Sequence, residues 1–193
     1  MTNSAKPRLL GISGSLRKAS TNTAVLEAIR VRVAGKASLE LFPLGELPLY
    51  NQDIDVEPPL APVAAFRAAI EAADGVVIAS PEYNYGMSGV LKNALDWASR
   101  PYGKARLTGK PVLTITVSPA STGGVRAQIQ LNETLTAIAA LVVLRPQAVI
   151  GSVFQKMQDG NFTDETALKF LEAGIDDLLR DIVRTQSVIR QET

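Results

Sequence analysis

Short runs of β-branched and aliphatic residues alternate along this chain with longer stretches in which apolar residues recur every three or four positions. That alternation predicts β-α-β units. The predicted strands are Arg8–Ser13, Ser38–Phe42, Gly75–Ser80, Val112–Val117 and Gln147–Ile150. The third and fourth are apolar on both faces, as parallel strands covered by helices on each side must be. Val63, Phe66, Ile70 and Ala73 form one helical stripe, and Leu131, Leu135, Ile138 and Val142 form another that runs up to the fifth strand. The cleanest stripe comes last: Leu168, Leu171, Ile175, Leu178 and Ile182, with Thr163 as its N-cap and Asp164 and Glu165 in the first turn. The pattern predicts one α/β domain over residues 1–193, a three-layer sandwich around a five-stranded parallel sheet in the order 2-1-3-4-5. The irregular stretch 43–59, with prolines at both ends, is expected to cross the surface near the strand ends.

Composition narrows the chemistry. The 193 residues are 46% hydrophobic and 20% charged, with a net charge of +1, which favours neither nucleic acid nor an acidic polymer as partner. There is no cysteine and no histidine, so thiol nucleophiles, disulfides, Cys/His metal sites and imidazole acid–base catalysis are all excluded. An enzyme built from this chain must rely on an organic cofactor or on carboxylates, tyrosines and lysines. Met1–Arg8 is polar and lacks the apolar segment of a secretion signal, and the longest apolar runs, such as Ala137–Leu144, fall short of a membrane span. A cytoplasmic protein is the expectation.

Three loops after predicted strands stand out. The first runs from Gly11 to Asn22, where Ser13, Ser15, Ser20, Thr21 and Asn22 offer small polar groups, Arg17 a planar charged fork, and a helix follows directly. Backbone N–H groups, the helix dipole and Arg17 together suit a phosphate. The spacing is neither that of a P-loop nor that of a dinucleotide fingerprint. A turn that merely starts a helix would account for the serines, but not for Arg17 in this setting. The second loop, Ser80–Gly86, contains Pro81, Glu82, Tyr83, Asn84 and Tyr85, unusual contents for the turn after a central strand. In the 2-1-3-4-5 order these two loops flank the point where strand order reverses, where open α/β sheets bind ligands. A phosphate at one and a flat ring at the other is the layout of a mononucleotide, although either tyrosine also suits an interface. The third loop, Ser118–Gly124, offers Ser118, Gly123 and Gly124 as the far edge of the ring site, or as a tight turn. Trp97, beside Leu91 and Leu95, reads as core.

Taken together, GSLRKASTN (14–22), PEYNYG (81–86), GVLKNALDWASRP (89–101) and GGVRAQ (123–128) resemble the NAD(P)H-dependent FMN reductases, a family that includes quinone, chromate and azo-dye reductases. The resemblance implies a flavodoxin-like fold, noncovalent FMN, and two-electron transfer from NAD(P)H to an acceptor. It implies that Ser15, Arg17, Ser20 and Asn22 grip the phosphate, and that Pro81, Glu82, Tyr83 and Asn84 line the ring largely through backbone contacts. It also implies homodimers or homotetramers with flavin sites near the subunit interface. The chain departs from the pattern at Ser88, where many relatives have proline, and at the LNETL segment of the helix after Gly124. The first departure is expected to loosen the ring loop, the second to alter assembly or acceptor choice.

The basic run from Lys92 to Arg126 suits a solvated or subunit-facing surface, or the phosphates of the nicotinamide cofactor. Three other readings remain open at this level, one of them a phosphosugar- or nucleotide-handling α/β enzyme without flavin. Another is a flavodoxin-type one-electron carrier, which the near-neutral charge disfavours; the third is a redox-sensing flavin-binding protein.

Overall fold

A computed structural model describes residues 6–192, with side chains through residue 188. The elements run β1 (Arg8–Ser13), α1 (Thr21–Val33), β2 (Ser38–Phe42), α2 (Ala61–Ala72), β3 (Gly75–Ser80), β4 (Glu82–Tyr83), β5 (Gly86–Met87), α3 (Gly89–Ala98), β6 (Pro111–Val117), α4 (Val125–Ala137), β7 (Leu141–Val142), β8 (Ala148–Ile150), β9 (Met157–Gln158), β10 (Asn161–Phe162) and α5 (Glu165–Glu192). The main sheet is parallel in the order β2-β1-β3-β6, with both β7 and β8 on the far side of β6. The predicted order is therefore present, but its fifth position is shared. Leu141 and Val142 pair with Pro111 and Val112, whereas Ala148–Ile150 pair with Ile115–Val117. Between them the chain leaves the edge. Leu144 faces solvent, and Arg145 turns under α5 to donate to Phe170 O at 3.1 Å.

The strands β3 and β6 are buried throughout, as two-sided burial requires. Val77, Ala79, Leu113 and Ile115 pack beneath α1 and α5, while Val76, Ile78 and Val112 pack beneath α2, α3 and α4. All five residues of the final stripe are buried.

Two boundaries differ from the pattern. Helix α4 stops at Ala137, so Val142 belongs to β7 and Ile138 only flanks the helix. Ala139 takes φ +57°, with its N–H on Thr136 O and that of Ala140 on Leu135 O, both at 3.0 Å. These are the two bonds of a Schellman stop. Alanine in place of the usual glycine hides the stop from sequence. The N-cap of α5 is Asp164 rather than Thr163: its Oδ1 accepts from Ala167 N at 2.7 Å, while Thr163 N still closes the β9–β10 hairpin onto Lys156 O.

The segment 43–59 is pinned down rather than merely laid across the surface. Pro48 O accepts from Asn93 Nδ2 and Trp97 Nε1, each at 2.8 Å, and Asp55 receives Arg67 and Arg100, each at 3.0 Å. Burial opposes ionisation of the Asp55 carboxyl, but the two guanidiniums outweigh it and hold its pKa below the ordinary range. Trp97 is buried, as its neighbours suggested.

Candidate active site

β1 delivers the chain to the first loop at Ser13. Gly14 then passes beneath the second loop, donating to Ala79 O at 2.8 Å and accepting from Ser88 Oγ at 2.6 Å. A Cβ at Gly14 would lie 3.0 Å from Ser88 Oγ and 3.1 Å from Pro81 Cδ, so a larger residue would push the two loops apart by a few tenths of an ångström. Ser20 N-caps α1 by accepting from Thr23 N at 3.2 Å, and Thr23 Oγ1 donates to Ser13 Oγ at 2.8 Å. Ser13 and Ser20 thus shape the cradle from inside. Ser15 Oγ accepts only from Arg17 N at 3.4 Å, Thr21 remains open, and the exposed Arg17 guanidinium is tied only to Ala19 O at 2.9 Å. Asn22 is buried, and its Oδ1 has no partner. Among the described residues, no acceptor is found for the backbone N–H groups of Ser15, Leu16 and residues 18–22. A concentration of unpartnered donors at a helix N-terminus, beside a free guanidinium, has the chemistry of a phosphate site.

The second loop is a hairpin of β4 and β5 that reverses over Asn84 and Tyr85, both at positive φ (49° and 70°). Positive φ at both central residues matches the twist of a two-residue hairpin, but for tyrosine it is costly and must be held by its surroundings. Helix α4 does the holding. The Glu82 carboxylate accepts from Arg126 N at 3.1 Å and Ala127 N at 3.3 Å, capping α4, and from Arg126 Nε at 2.9 Å and Nη2 at 2.5 Å. The Arg126 guanidinium lies 3.9 Å from the centre of the Tyr85 ring, and Gln130 Oε1 accepts from Met87 N at 2.8 Å. Burial opposes ionisation of Glu82, but Arg126 and the N–H groups at the start of α4 prevail and hold its pKa below the ordinary carboxylate range. Since that side chain is committed to α4, any contact from Glu82 to a ligand runs through its backbone, in keeping with the resemblance. Pro81 is buried, whereas Tyr83 and Tyr85 are 50% and 73% exposed.

The Ser88 departure ties the ring loop instead of loosening it. Besides its bond to Gly14, Ser88 Oγ accepts from Leu91 N at 3.4 Å as the N-cap of α3. Ser88→Ala is expected to lose a cap and a buried bond, about 2 kcal/mol in all, lowering the melting temperature by roughly 4–8 °C. Ser88→Pro should lose the same bonds yet recover part of the loss, because Ser88 already has φ −64° and proline restricts the unfolded chain. Differential scanning calorimetry of the two variants checks both; equal melting of Ser88→Ala and wild type would contradict the role.

The third loop adjoins the second, but it is filled by the protein's own chain. Ser118 is buried, accepting from Ala120 N at 3.2 Å and donating its N–H to Ile150 O at 3.0 Å. Gly123 and Gly124 have φ +65° and +86°; a Cβ would meet Gly151 N at 2.9 Å in the first case and Thr116 Cβ at 3.1 Å in the second. The close approach these glycines permit is to the ends of β6 and β8.

The first two loops border a common cavity of about 420 Å³ whose lining includes Ser15, Leu16, Arg17, Tyr83 and the start of α3. The basic run does not form a free positive face. Lys92 pairs with Asp96 at 2.6 Å, Arg100 with Asp55 at 3.0 Å, Arg106 with Glu71 at 3.4 Å and Arg126 with Glu82 at 2.5 Å, and Lys110 caps α2 through Ala73 O. Gln130 is the site-building residue that sequence reasoning passed over, and Ser88 the one it read with the opposite effect. Ser88 carried a signal, a serine just before a helical pattern. Gln130 carried none, since its partner is 43 residues earlier.

Comparison with known proteins decides what the cradle belongs to. Residues 7–155 match the family described as NADPH-dependent FMN reductase. The chain belongs to that family. A quinone reductase of Pseudomonas putida is 35% identical over 165 residues, covering 86% of this chain and 89% of the relative. An NAD(P)H-dependent FMN reductase of Pseudomonas aeruginosa is 39% identical over 166 residues, with the same coverage. Among solved structures, the flavoenzyme NAD(P)H:(acceptor) oxidoreductase FerB of Paracoccus denitrificans superposes with a TM-score of 0.83 at 33% identity, covering 93% of this chain and 98% of FerB. An archaeal flavodoxin, 12% identical with a TM-score of 0.57, shares the fold alone. This FMN reductase family member is thus an oxidoreductase of flavodoxin-like fold, and the cofactors of its family are FMN and NAD(P)H. The open donors of the first loop fit the phosphate of FMN.

Proposed function

We propose that the protein is an FMN-dependent NAD(P)H:quinone oxidoreductase, a single flavodoxin-like domain over residues 1–193 that works in the cytoplasm as a homodimer or homotetramer. One observation carries the reading: the unpartnered donors of the first loop and the hairpin with its exposed tyrosines border the same cavity. Names of relatives support a quinone as acceptor. Chromate, azo dyes and free flavin are further acceptors in this proposal. No helix among the described residues is long and apolar enough to cross a membrane.

In this reading Ser15, Arg17, Ser20, Thr21 and Asn22 hold the FMN phosphate, with Ser13 shaping the loop. Pro81, Glu82, Tyr83, Asn84 and Tyr85 line the ring, while Ser118, Gly123 and Gly124 act one step back, holding the third loop on β6 and β8 beside the hairpin. When bound, FMN supplies the two-electron chemistry between NAD(P)H and acceptor. The protein's contribution is orientation. The α4 clamp fixes the hairpin backbone and the Ser88–Gly14 bond fixes the spacing of the two loops; hairpin N–H groups facing a bound ring would favour negative charge on it. A chain without histidine or cysteine needs nothing more from its side chains.

The deciding experiment is an absorption spectrum of the purified protein with and without FMN, followed by NAD(P)H and benzoquinone. Bound FMN, bleached by NAD(P)H and recoloured by quinone, is expected; a protein that binds no flavin contradicts the reading. Tyr83 and Tyr85 expose large aromatic surface beside this site, which suits burial against a second copy. Tyr83→Asp is accordingly expected to lower both assembly and turnover, since a carboxylate would be buried at the contact. Light scattering beside steady-state kinetics tests this, and a fully active wild-type monomer would defeat it.

A further inference from the structure

Helix α4 meets the sheet through Ala127, Leu131 and Leu135, all fully buried. Among these apolar contacts lies a polar exception. Gln128 and Asn132, four apart and so on one face of the helix, both reach Thr114 in the middle of β6. Gln128 and Thr114 are themselves buried. Gln128 Nε2 donates to Thr114 O at 3.0 Å and to its Oγ1 at 3.4 Å, and Thr114 Oγ1 donates to Asn132 Oδ1 at 2.8 Å. A carbonyl only accepts, so the Gln128 amide has one possible orientation, and the Thr114 hydroxyl then has its proton free for Asn132. Asn132 lies in the LNETL segment, where this chain departs from the family pattern.

Apolar burial is non-directional, so Ala127, Leu131 and Leu135 alone would let α4 shift along or about its axis at small cost. The bonds to Thr114 are directional and weaken steeply as they bend. A buried amide and a buried hydroxyl that lose each other stay unpaired, which makes any other seat for α4 expensive. The seat matters because the ring hairpin is held from α4. Glu82 is bonded to Arg126 and Ala127, Met87 N to Gln130, and the Tyr85 ring lies against the Arg126 guanidinium. Asn84 and Tyr85, at positive φ, depend on those holds. The interior of β6 is thus linked to the hairpin through a single helix.

We propose that Thr114 is a positioning residue for the flavin ring. Being buried, it is out of a ligand's reach; its hydroxyl and carbonyl set where α4 lies on β6, and α4 sets the hairpin. The inference rests on the proposed ring site and adds to it a residue beneath the helix, outside all three loops.

Thr114→Val removes the hydroxyl, leaves the carbonyl and suits a strand. Flavin fluorescence titration, at a temperature where every variant is folded, should show riboflavin and FMN weakened by the same factor, roughly three- to tenfold. Equal factors mark the ring side of the site, since riboflavin lacks the phosphate assigned to Arg17. Thr114→Ser keeps the hydroxyl and should recover most of the affinity. Asn132→Ala removes one arm from a half-buried position, and gives a smaller loss in the same ratio should Thr114→Val fail to fold. In a Glu82→Gln background, where the hairpin is already loosened from α4, Thr114→Val should matter less. Unchanged flavin affinity beside a lowered melting temperature would make Thr114 merely structural and overturn the inference. So would a loss confined to FMN, or full additivity with Glu82→Gln. If wild type binds neither flavin, the reading of the site falls and this inference with it. If wild type binds both and Thr114→Val binds them equally well, only the positioning role falls.

Discussion

Glu82→Ala is expected to release the ring hairpin from α4, lowering stability by about 3 kcal/mol and weakening FMN binding along with it. The Glu82 side chain is 9% exposed and accepts four bonds, two from the Arg126 guanidinium and two from the otherwise unpaired backbone N–H groups of Arg126 and Ala127 at the start of α4. Arg126 is 41% exposed, so solvent screens its share and the larger part of the loss comes from the uncapped helix. For a chain of this size that corresponds to a melting temperature roughly 6–12 °C lower. The same carboxylate predicts a pH dependence. Its folded pKa lies below the ordinary value, so its contribution is complete above about pH 4.3 and is lost as pH falls through the lowered folded value. The stability difference between wild type and Glu82→Gln should therefore be flat from roughly pH 5 to 8 and shrink in acid below about pH 4. Urea titrations across that range check it. A difference that grows in acid would show that Glu82 does not act as a carboxylate here.

Arg17→Ala should weaken FMN binding ten- to a hundredfold, roughly 1.5–3 kcal/mol for a charge-assisted bond to a partly exposed phosphate. The fold should not notice the change, because the only bond lost within the protein is the one to Ala19 O. Flavin fluorescence titration beside thermal melting separates the two effects. An unchanged dissociation constant would remove Arg17 from the phosphate site, and a large loss of melting temperature would give it a structural part that its exposure does not predict. Arg17→Lys keeps the charge but not the planar fork, so it should recover only part of the affinity.

Arg17 and Glu82 differ in how much of their role their chain neighbours reveal. Arg17 was a candidate from its place in GSLRKASTN, and the structure adds only that its guanidinium is open. Glu82 was a candidate too, but as a ring-lining residue; its hold on α4 depends on Arg126 and Ala127, which lie more than forty positions away. The same distance separates Gln130 from Met87. The LNETL departure contains Asn132, which accepts from Thr114 Oγ1 at 2.8 Å, a bond to the sheet that no local pattern announces.

What the sequence determined by itself was whatever depends on neighbours along the chain. The strand positions follow from runs of apolar residues, the final helix from its stripe, and the phosphate cradle from small and hydroxyl residues set between a strand and a helix start. These signals are local because hydrogen bonding and side-chain periodicity act over a few residues. Tertiary structure decided the rest: the split fifth strand, the stop of α4 at an alanine, and the pairing of Arg100, Arg106 and Arg126 in the basic run with acids from other segments. It also closed the third loop on β6 and β8 and brought Ser88 onto Gly14. Each of these depends on which distant surfaces come to be packed together, because a buried polar or charged group must find a partner wherever the fold supplies one.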